Sequence, residues 1–156
     1  MGQNVRRNAN AVILYFHDCL GRFDARLSAI AVTEPSDILR VDVTPSHISL
    51  KPGEEVKLDV TITRRSDYDK SVSLDVLLRH LGSVYGNPLP PGVTMVDDKS
   101  KTRLRPGESK GHIVLKVARD AAPIDNVSVA VSAYVSVNFV VKIGYASAPI
   151  PLTIVK

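Results

Sequence analysis

The chain contains no tryptophan, one cysteine and few aromatic residues, which supply 5% of its 156 positions. Carbohydrate-binding surfaces commonly use exposed Trp or Tyr, so the composition supplies no obvious sugar platform. The single Cys19 excludes an intrachain disulfide, leaving core packing to hold the fold without fixing the redox compartment. Long apolar runs are also missing. The longest, Ala11 to Phe16, is far too short to cross a bilayer, so no membrane insertion is expected. Arg6 and Arg7 precede that run, but His17 and Asp18 interrupt it and no small-residue cleavage site follows directly. The N-terminus is therefore a poor signal peptide. Two expectations follow: a cytoplasmic protein, or a chain whose true N-terminus lies further upstream.

Charge of one sign is not concentrated either. The formal net charge is +4; the densest basic groups are Arg6-Arg7, Arg64-Arg65, Lys99/Lys101/Arg103/Arg105 and Lys110, with acids between most of them. A nucleic-acid partner would call for a basic stripe with stacking aromatics, and none is expected. What the chain has is Val, Ile and Leu, which dominate an apolar content of 44%. That content is too high for a disordered chain, and its β-branched bias favours strands. The length suits one domain, or one domain plus a fragment of another, and is enough to bury a core without metal or disulfide staples.

A polar stretch around Pro35, Thr33 to Asp37, reads as a linker. Upstream, Ala11 to His17 and Arg26 to Val32 flank a turn at Asp18-Cys-Leu-Gly-Arg and read as a β-hairpin. An amphipathic helix over 9–20, ended by Gly21, is the alternative. Residues 1–36 are thus expected to form a hairpin and linker, and residues 37–156 a separate domain.

Downstream, strand signals recur at short intervals. Leu39, Val41 and Val43 alternate with polar residues, and Ile48 and Leu50 follow the break at Thr44-Pro45-Ser46. Lys51-Pro-Gly-Glu-Glu reads as a turn, because Pro presets φ and Gly tolerates a left-handed conformation. Val56, Leu58, Val60 and Ile62 then alternate with Lys57, Asp59, Thr61 and Thr63, the clearest half-buried strand in the chain. Val72, Leu74 and Val76 give the next. Arg79 to Pro91, rich in Gly and Pro, reads as the longest irregular stretch, and Val93 with Met95 as a short strand. Arg105-Pro-Gly-Glu repeats the earlier turn before Ile113, Leu115 and Val117. Val127, Val129, Val131, Ala133 and Val135 read as one long strand face, and Phe139–Ile143 and Ile150, Leu152, Ile154 complete the sheets. The expectation is an all-β fold: an immunoglobulin-like antiparallel β-sandwich of about seven or eight strands, preceded by a β-hairpin.

These residues carry a family resemblance. Leu50-Lys-Pro-Gly-Glu-Glu-Val-Lys-Leu-Asp-Val-Thr-Ile-Thr-Arg, Leu89-Pro-Pro-Gly-Val-Thr, Leu104-Arg-Pro-Gly-Glu-Ser-Lys-Gly-His-Ile-Val-Leu-Lys-Val and Ala121-Ala-Pro, in that order, resemble bacterial immunoglobulin-like repeat domains of large exported proteins. Ile124 and Asp125 stand near the place where that pattern usually has Gly. Residues 12–32 resemble the end of a bacterial pre-peptidase C-terminal domain, through Asp18-Cys-Leu-Gly-Arg and Arg26-Leu-Ser-Ala-Ile-Ala-Val. The resemblance implies an extracellular or cell-envelope location and a non-catalytic structural or interaction module. Its expected partners are neighbouring domains or other proteins, with a carbohydrate- or cell-wall-binding module, and hence a polysaccharide, as the alternative.

No set of residues points to catalysis, and no cofactor is expected. His17, His47, His80 and His112 lack metal-site spacing to one another or to Cys19. His17 and Cys19 lie two apart without a third group, too little for a nucleophilic site. Asp67/Asp69 and Asp97/Asp98 read as solvated turn acids rather than a calcium loop. Tyr68 and Tyr85 fall in expected loops, while Tyr134 and Phe139 flank the last long strand. No catalytic, cofactor-binding or metal-ligating residues are therefore expected, and the sequence defines no ligand-binding set.

Overall fold

Prolyl-glycyl turns and alternating strands set the architecture of the computed structural model, which describes residues 37–80, 83–138 and 141–155. The chain divides after Pro35, and the described residues belong to the second unit, Ser36–Lys156. The expected hairpin at 11–32, with His17 and Cys19, lies outside them.

The strands are β1 (Ile38–Thr44), β2 (Ile48–Leu50), β3 (Glu55–Arg64), β4 (Val72–Asp75), β5 (Leu78–His80), β6 (Ser83–Gly86) and β7 (Val93–Met95). They continue as β8 (Arg103–Leu104), β9 (Lys110–Val117), β10 (Ile124–Val129), β11 (Ser132–Ser136), β12 (Lys142–Ala146) and β13 (Ile150–Ile154). A 3₁₀ turn at Asp97–Lys99 is the one helical element among the described residues. Two four-stranded sheets, β1-β3-β9-β7 and β12-β11-β4-β8, form the layers of a β-sandwich. The smaller sheet β10-β13-β2 and the β5–β6 pair complete it. Every named pairing is antiparallel except that of β13 with β2.

The core follows from the side-chain period of two along each strand. On β3, Leu58, Val60 and Ile62 are buried while Lys57, Asp59, Thr61 and Thr63 are exposed. Facing them are Val72 and Leu74 of β4, Leu104 of β8, Ala133 and Val135 of β11, and Ile113, Leu115 and Val117 of β9 beside them in the same layer. Ile48, Leu50, Ile150, Leu152 and Ile154 continue the same core under the small sheet. The closeness of the layers shows at Gly111 in β9. A Cβ there would stand 2.6 Å from the Lys101 carbonyl oxygen, 2.7 Å from Leu74 Cδ1 and 3.0 Å from Leu104 Cδ2.

The two Pro-Gly-Glu turns share one geometry. Glu54 N–H donates to the Lys51 carbonyl (3.1 Å) and Lys51 N–H to Glu54 Oε2 (2.8 Å). Glu108 N–H donates to the Arg105 carbonyl (3.0 Å) and Arg105 N–H to Glu108 Oε2 (2.8 Å). Gly53 and Gly107 take φ of +90° and +77°, which a side chain would oppose. Pro90 to Val93 forms a third such turn, with Gly92 at φ +80°.

Three expectations need correction. The Leu39/Val41/Val43 face is broken: the register slips between Ile38 and Arg40, so Ile38 and Val41 are buried and Leu39 is 51% exposed. A bulge of this kind reverses the phase of every residue beyond it. The supposed single strand from Val127 to Val135 is two. β10 pairs with β13, whereas β11 pairs with β4 and β12, the chain changing sheets at Ala130-Val131. Its inward residues stay inward, since alternation records which side meets the core and not which neighbour supplies hydrogen bonds. Finally, the supposedly irregular 79–91 stretch holds the β5–β6 pair.

Candidate functional site

A groove opens where that change of sheet meets the β5–β6 pair. It is built from the chain leaving β4 (Val76 to Leu78), the segment leaving β6 (Gly86 to Pro88), the β10–β11 corner and Pro149, and encloses about 610 Å³. Its walls are largely apolar and carry no ionisable side chain other than Tyr134. Two side-chain turns fix its rim: Asp75 Oδ1 accepts from Leu77 N–H and Asn87 Oδ1 from Leu89 N–H, each at 2.9 Å. Arg79 braces the same region, with Nε 3.1 Å from Asp75 Oδ2 and Nη2 3.3 Å from Asp97 Oδ1. The Nε atom is buried and meets Asp75 off the direction of a good hydrogen bond. Tyr134 lies across β12, where a Cβ on Gly144 would be 3.1 Å from its ring. Burial pushes the Tyr134 phenol above its usual range, a shift opposed by its hydrogen bond with Ser132. Leu78 on the groove wall is 51% exposed, and outside the groove Val84 and Tyr85 of the β5–β6 pair are 54% and 65% exposed.

Elsewhere several ionisable groups are paired with one another. On the open face of β3 and β9, Glu55 contacts Lys99 (2.7 Å) and Lys116 (3.7 Å), and Lys57 contacts Asp59 (2.9 Å). Lys101 reaches Glu108 at 3.3 Å, and Arg40 reaches Asp42 at 2.6 Å. The hydrogen bond from Lys99 holds the Glu55 carboxyl below its ordinary range, and the same contact raises Lys99. Glu108 is lowered first by the Arg105 backbone N–H and then by Lys101. These are same-strand, cross-strand and turn contacts of the surface type.

Arg64 is an exception, because its guanidinium serves carbonyls. Nε and Nη2 donate to Glu108 O (3.0 and 2.7 Å), Nη1 to Lys70 O (2.6 Å) and Nη2 also to Arg105 O (3.2 Å). Its carbon centre stands 5.8 Å from the Tyr68 ring centroid. The planar fork thus ties two turns to the end of β3. Tyr68, expected in a loop, is buried; its hydroxyl lacks a hydrogen-bond partner, and burial raises its pKa. Nearby, Tyr145 O–H donates to Asp37 Oδ2 at 3.0 Å.

The residues weighed in the sequence are not brought together. His47 is exposed before β2, whereas His112 on β9 has Nε2 3.1 Å from the Lys99 carbonyl oxygen. The His80 backbone pairs with Ser83 at the end of β5. Asp67 pairs with Arg65 at 3.1 Å, and Asp97 and Asp98 lie in the 3₁₀ turn. Among the described residues no group of three or more His, Cys, Asp or Glu could hold a metal ion. Phe139 and Cys19 lie outside the described residues. Sequence reasoning did not find the groove, because its walls come from four separated segments; only the Gly86-Asn-Pro run hinted at one of them.

By fold, the described unit is an all-β sandwich domain. No family model matches the chain, and no curated protein matches it. Among solved structures it is similar to domains 4 and 5 of the S-layer protein SbsC, at 10% identity and a TM-score of 0.36. That similarity covers 78% of this chain and 54% of the S-layer fragment, about half of the latter's length. A likeness at this level assigns neither family nor function.

Proposed function

We propose that this chain is a non-catalytic, immunoglobulin-like structural or interaction module of a multidomain bacterial surface or secreted protein. The observation that carries the reading is the disposition of its charged side chains. Glu55, Lys99, Lys116, Lys101 and Glu108 are paired across strands and turns, and Arg64 is held by backbone carbonyls. Such groups stabilise a surface and a set of turns; they do not converge on a cavity as acid, base and nucleophile would. The order of its Pro-Gly turns and alternating strands supports the repeat-domain reading, and with it an envelope or extracellular location. In this reading residues 37–156 form the sandwich and residues 1–36 a hairpin and linker left from a preceding β domain. The test has two arms. A peptide, ester and glycoside substrate panel should show no turnover, and turnover abolished by one polar substitution would overturn the reading. Accessibility to an impermeant label on intact producing cells should place the chain outside, and labelling only after lysis would refute the location.

A carbohydrate- or cell-wall-binding module is the second reading. It is favoured by the uncharged groove with Asn87, Ser128, Ser132 and Tyr134 on its walls and Tyr85 exposed nearby. Binding to purified cell-wall polysaccharide that Tyr134→Ala and Asn87→Ala weaken, with folding intact, would support it over the first.

A further inference from the structure

The pairing of β2 with β13 is the one parallel pair among the named strands. Ile48 is opposite Leu152, Ser49 opposite Thr153 and Leu50 opposite Ile154. Beyond the strand end, Val155 N–H donates to the Leu50 carbonyl at 2.9 Å. β2 lies near the start of the described unit and β13 near its end. In a parallel pair, the N-terminal end of one strand and the C-terminal end of the other lie at opposite ends of the ladder. A pull applied to those two ends slides the strands past each other, so the rungs must yield together. In an antiparallel pair the same two ends lie side by side, and a pull opens the rungs one at a time.

We propose that the β2–β13 pair is a tension clamp, which makes the sandwich a load-bearing element along its chain direction. This rests on the structural role proposed above and gives it a physical content: resistance to being drawn out between its two ends. Burial supports the clamp. Ile48, Leu50, Leu152 and Ile154 are 1%, 7%, 0% and 1% exposed, which seals one side of the ladder against water that would compete for strained hydrogen bonds. On its other edge β13 is held by β10, so the strand is braced on both sides. Upstream, β1 is bonded to β3 in a different sheet, and the chain changes sheets between Thr44 and Ile48. Tension entering at Asp37 therefore engages one sheet before it reaches the clamp in another.

The test is single-molecule extension of the full chain, carrying Cys19→Ser so that added cysteines are the only handles. Handles at Ser36→Cys and Lys156→Cys load β2 against β13 along their length. Handles at Asp125→Cys and Lys156→Cys load the antiparallel β10–β13 pair, in which Ile124 is opposite Ile154, at one end. At equal loading rate the first geometry should need a several-fold higher force, because forced unfolding follows the unfolding rate along the pulled direction. Val155→Pro removes the N–H given to Leu50 and should lower the force in the first geometry while leaving the second nearly unchanged. Equal forces in the two geometries would overturn the clamp. So would a Val155→Pro chain that loses chemical stability yet keeps its end-to-end force. Neither result bears on catalysis or location, so failure of the clamp is distinguishable from failure of the proposed function.

Discussion

Gly111→Ala adds one methyl group to the middle of β9, and the structure determines where that group must go. The built Cβ falls 2.6 Å from Lys101 O, 2.7 Å from Leu74 Cδ1 and 3.0 Å from Leu104 Cδ2. Leu74 and Leu104 are fully or almost fully buried and cannot swing into solvent, and the third neighbour is backbone. The Lys101 carbonyl also accepts from His112 N–H at 3.2 Å, so moving it strains a rung beside the substitution. Overpacking of this kind costs about 1–3 kcal/mol and sometimes more. With two side chains and one main-chain atom in the way, about 3 kcal/mol is expected. For a domain of this size that corresponds to a Tm lower by roughly 9–15 °C. Gly107→Ala is the matched control. Gly107 has φ +77° but nothing within 4 Å of its would-be Cβ, so its cost is conformational alone. The left-handed conformation costs about 1–2 kcal/mol for a residue with a side chain. Lower entropy of the unfolded chain returns about half a kcal/mol. Urea unfolding of both variants, followed by circular dichroism, compares the two. A loss for Gly111→Ala no larger than that for Gly107→Ala would refute the close contact of the layers. Adding Leu74→Val to Gly111→Ala should recover part of the loss, because one of the three obstacles is removed.

Leu58→Ala should cost about 2–5 kcal/mol, as Leu58 is fully buried on β3. Asp59→Ala, which removes only the exposed pair with Lys57, should cost less than about 1 kcal/mol; equal losses in urea would reject the assigned faces. Because the folded-state pKa values of Glu55 and Glu108 are depressed, their charged forms favour folding above the ordinary carboxylate pKa of 4.5, and that stability is lost as pH falls through the lower folded values. Glu108→Gln should therefore be less acid-sensitive than the parent as pH is lowered from neutrality through the carboxylate range, although less stable at neutrality, and parallel stability–pH curves would count against the Arg105 turn contact. Residues 37–156 expressed alone should unfold cooperatively with a midpoint close to that of the full chain; an aggregated or unfolded product would mean that the upstream residues belong to the sandwich.

What the sequence disclosed and what it hid follow from the range of the forces involved. The faces of β3 and β9 and the Pro-Gly-Glu turns were legible, because side-chain alternation and φ preference act over a few residues. The bulge at Leu39 was not, since only pairing with β3 makes two residues stand opposite one. Nor was the break at Ala130-Val131. Ser147 takes both backbone groups of Val131, with Ser147 N–H donating to Val131 O at 2.8 Å and Ser147 Oγ accepting from Val131 N–H at 3.1 Å. That partner lies sixteen residues away, beyond any local pattern. The groove was hidden for the same reason. Tyr68 does lie in the loop between β3 and β4, as expected, but its burial there depends on residues far along the chain and left no local signal.

The Pro-Gly-Glu turns carry a consequence for the order in which the domain assembles. Lys51–Glu54 joins β2 to β3 and Arg105–Glu108 joins β8 to β9, and in each case the two strands belong to different sheets. They are arches between layers rather than the tips of hairpins. Each is closed by contacts within four residues, so it can form while the rest of the chain is unstructured. The earliest local order is thus a pair of bends that stack one layer over the other, with few neighbouring strands yet hydrogen-bonded. Pairings such as β1 with β3 span tens of residues and must wait for slower chain closure. Folding in the slow range of β-sandwiches, about milliseconds to seconds, is the expected result, with the arches formed ahead of the ladders they connect.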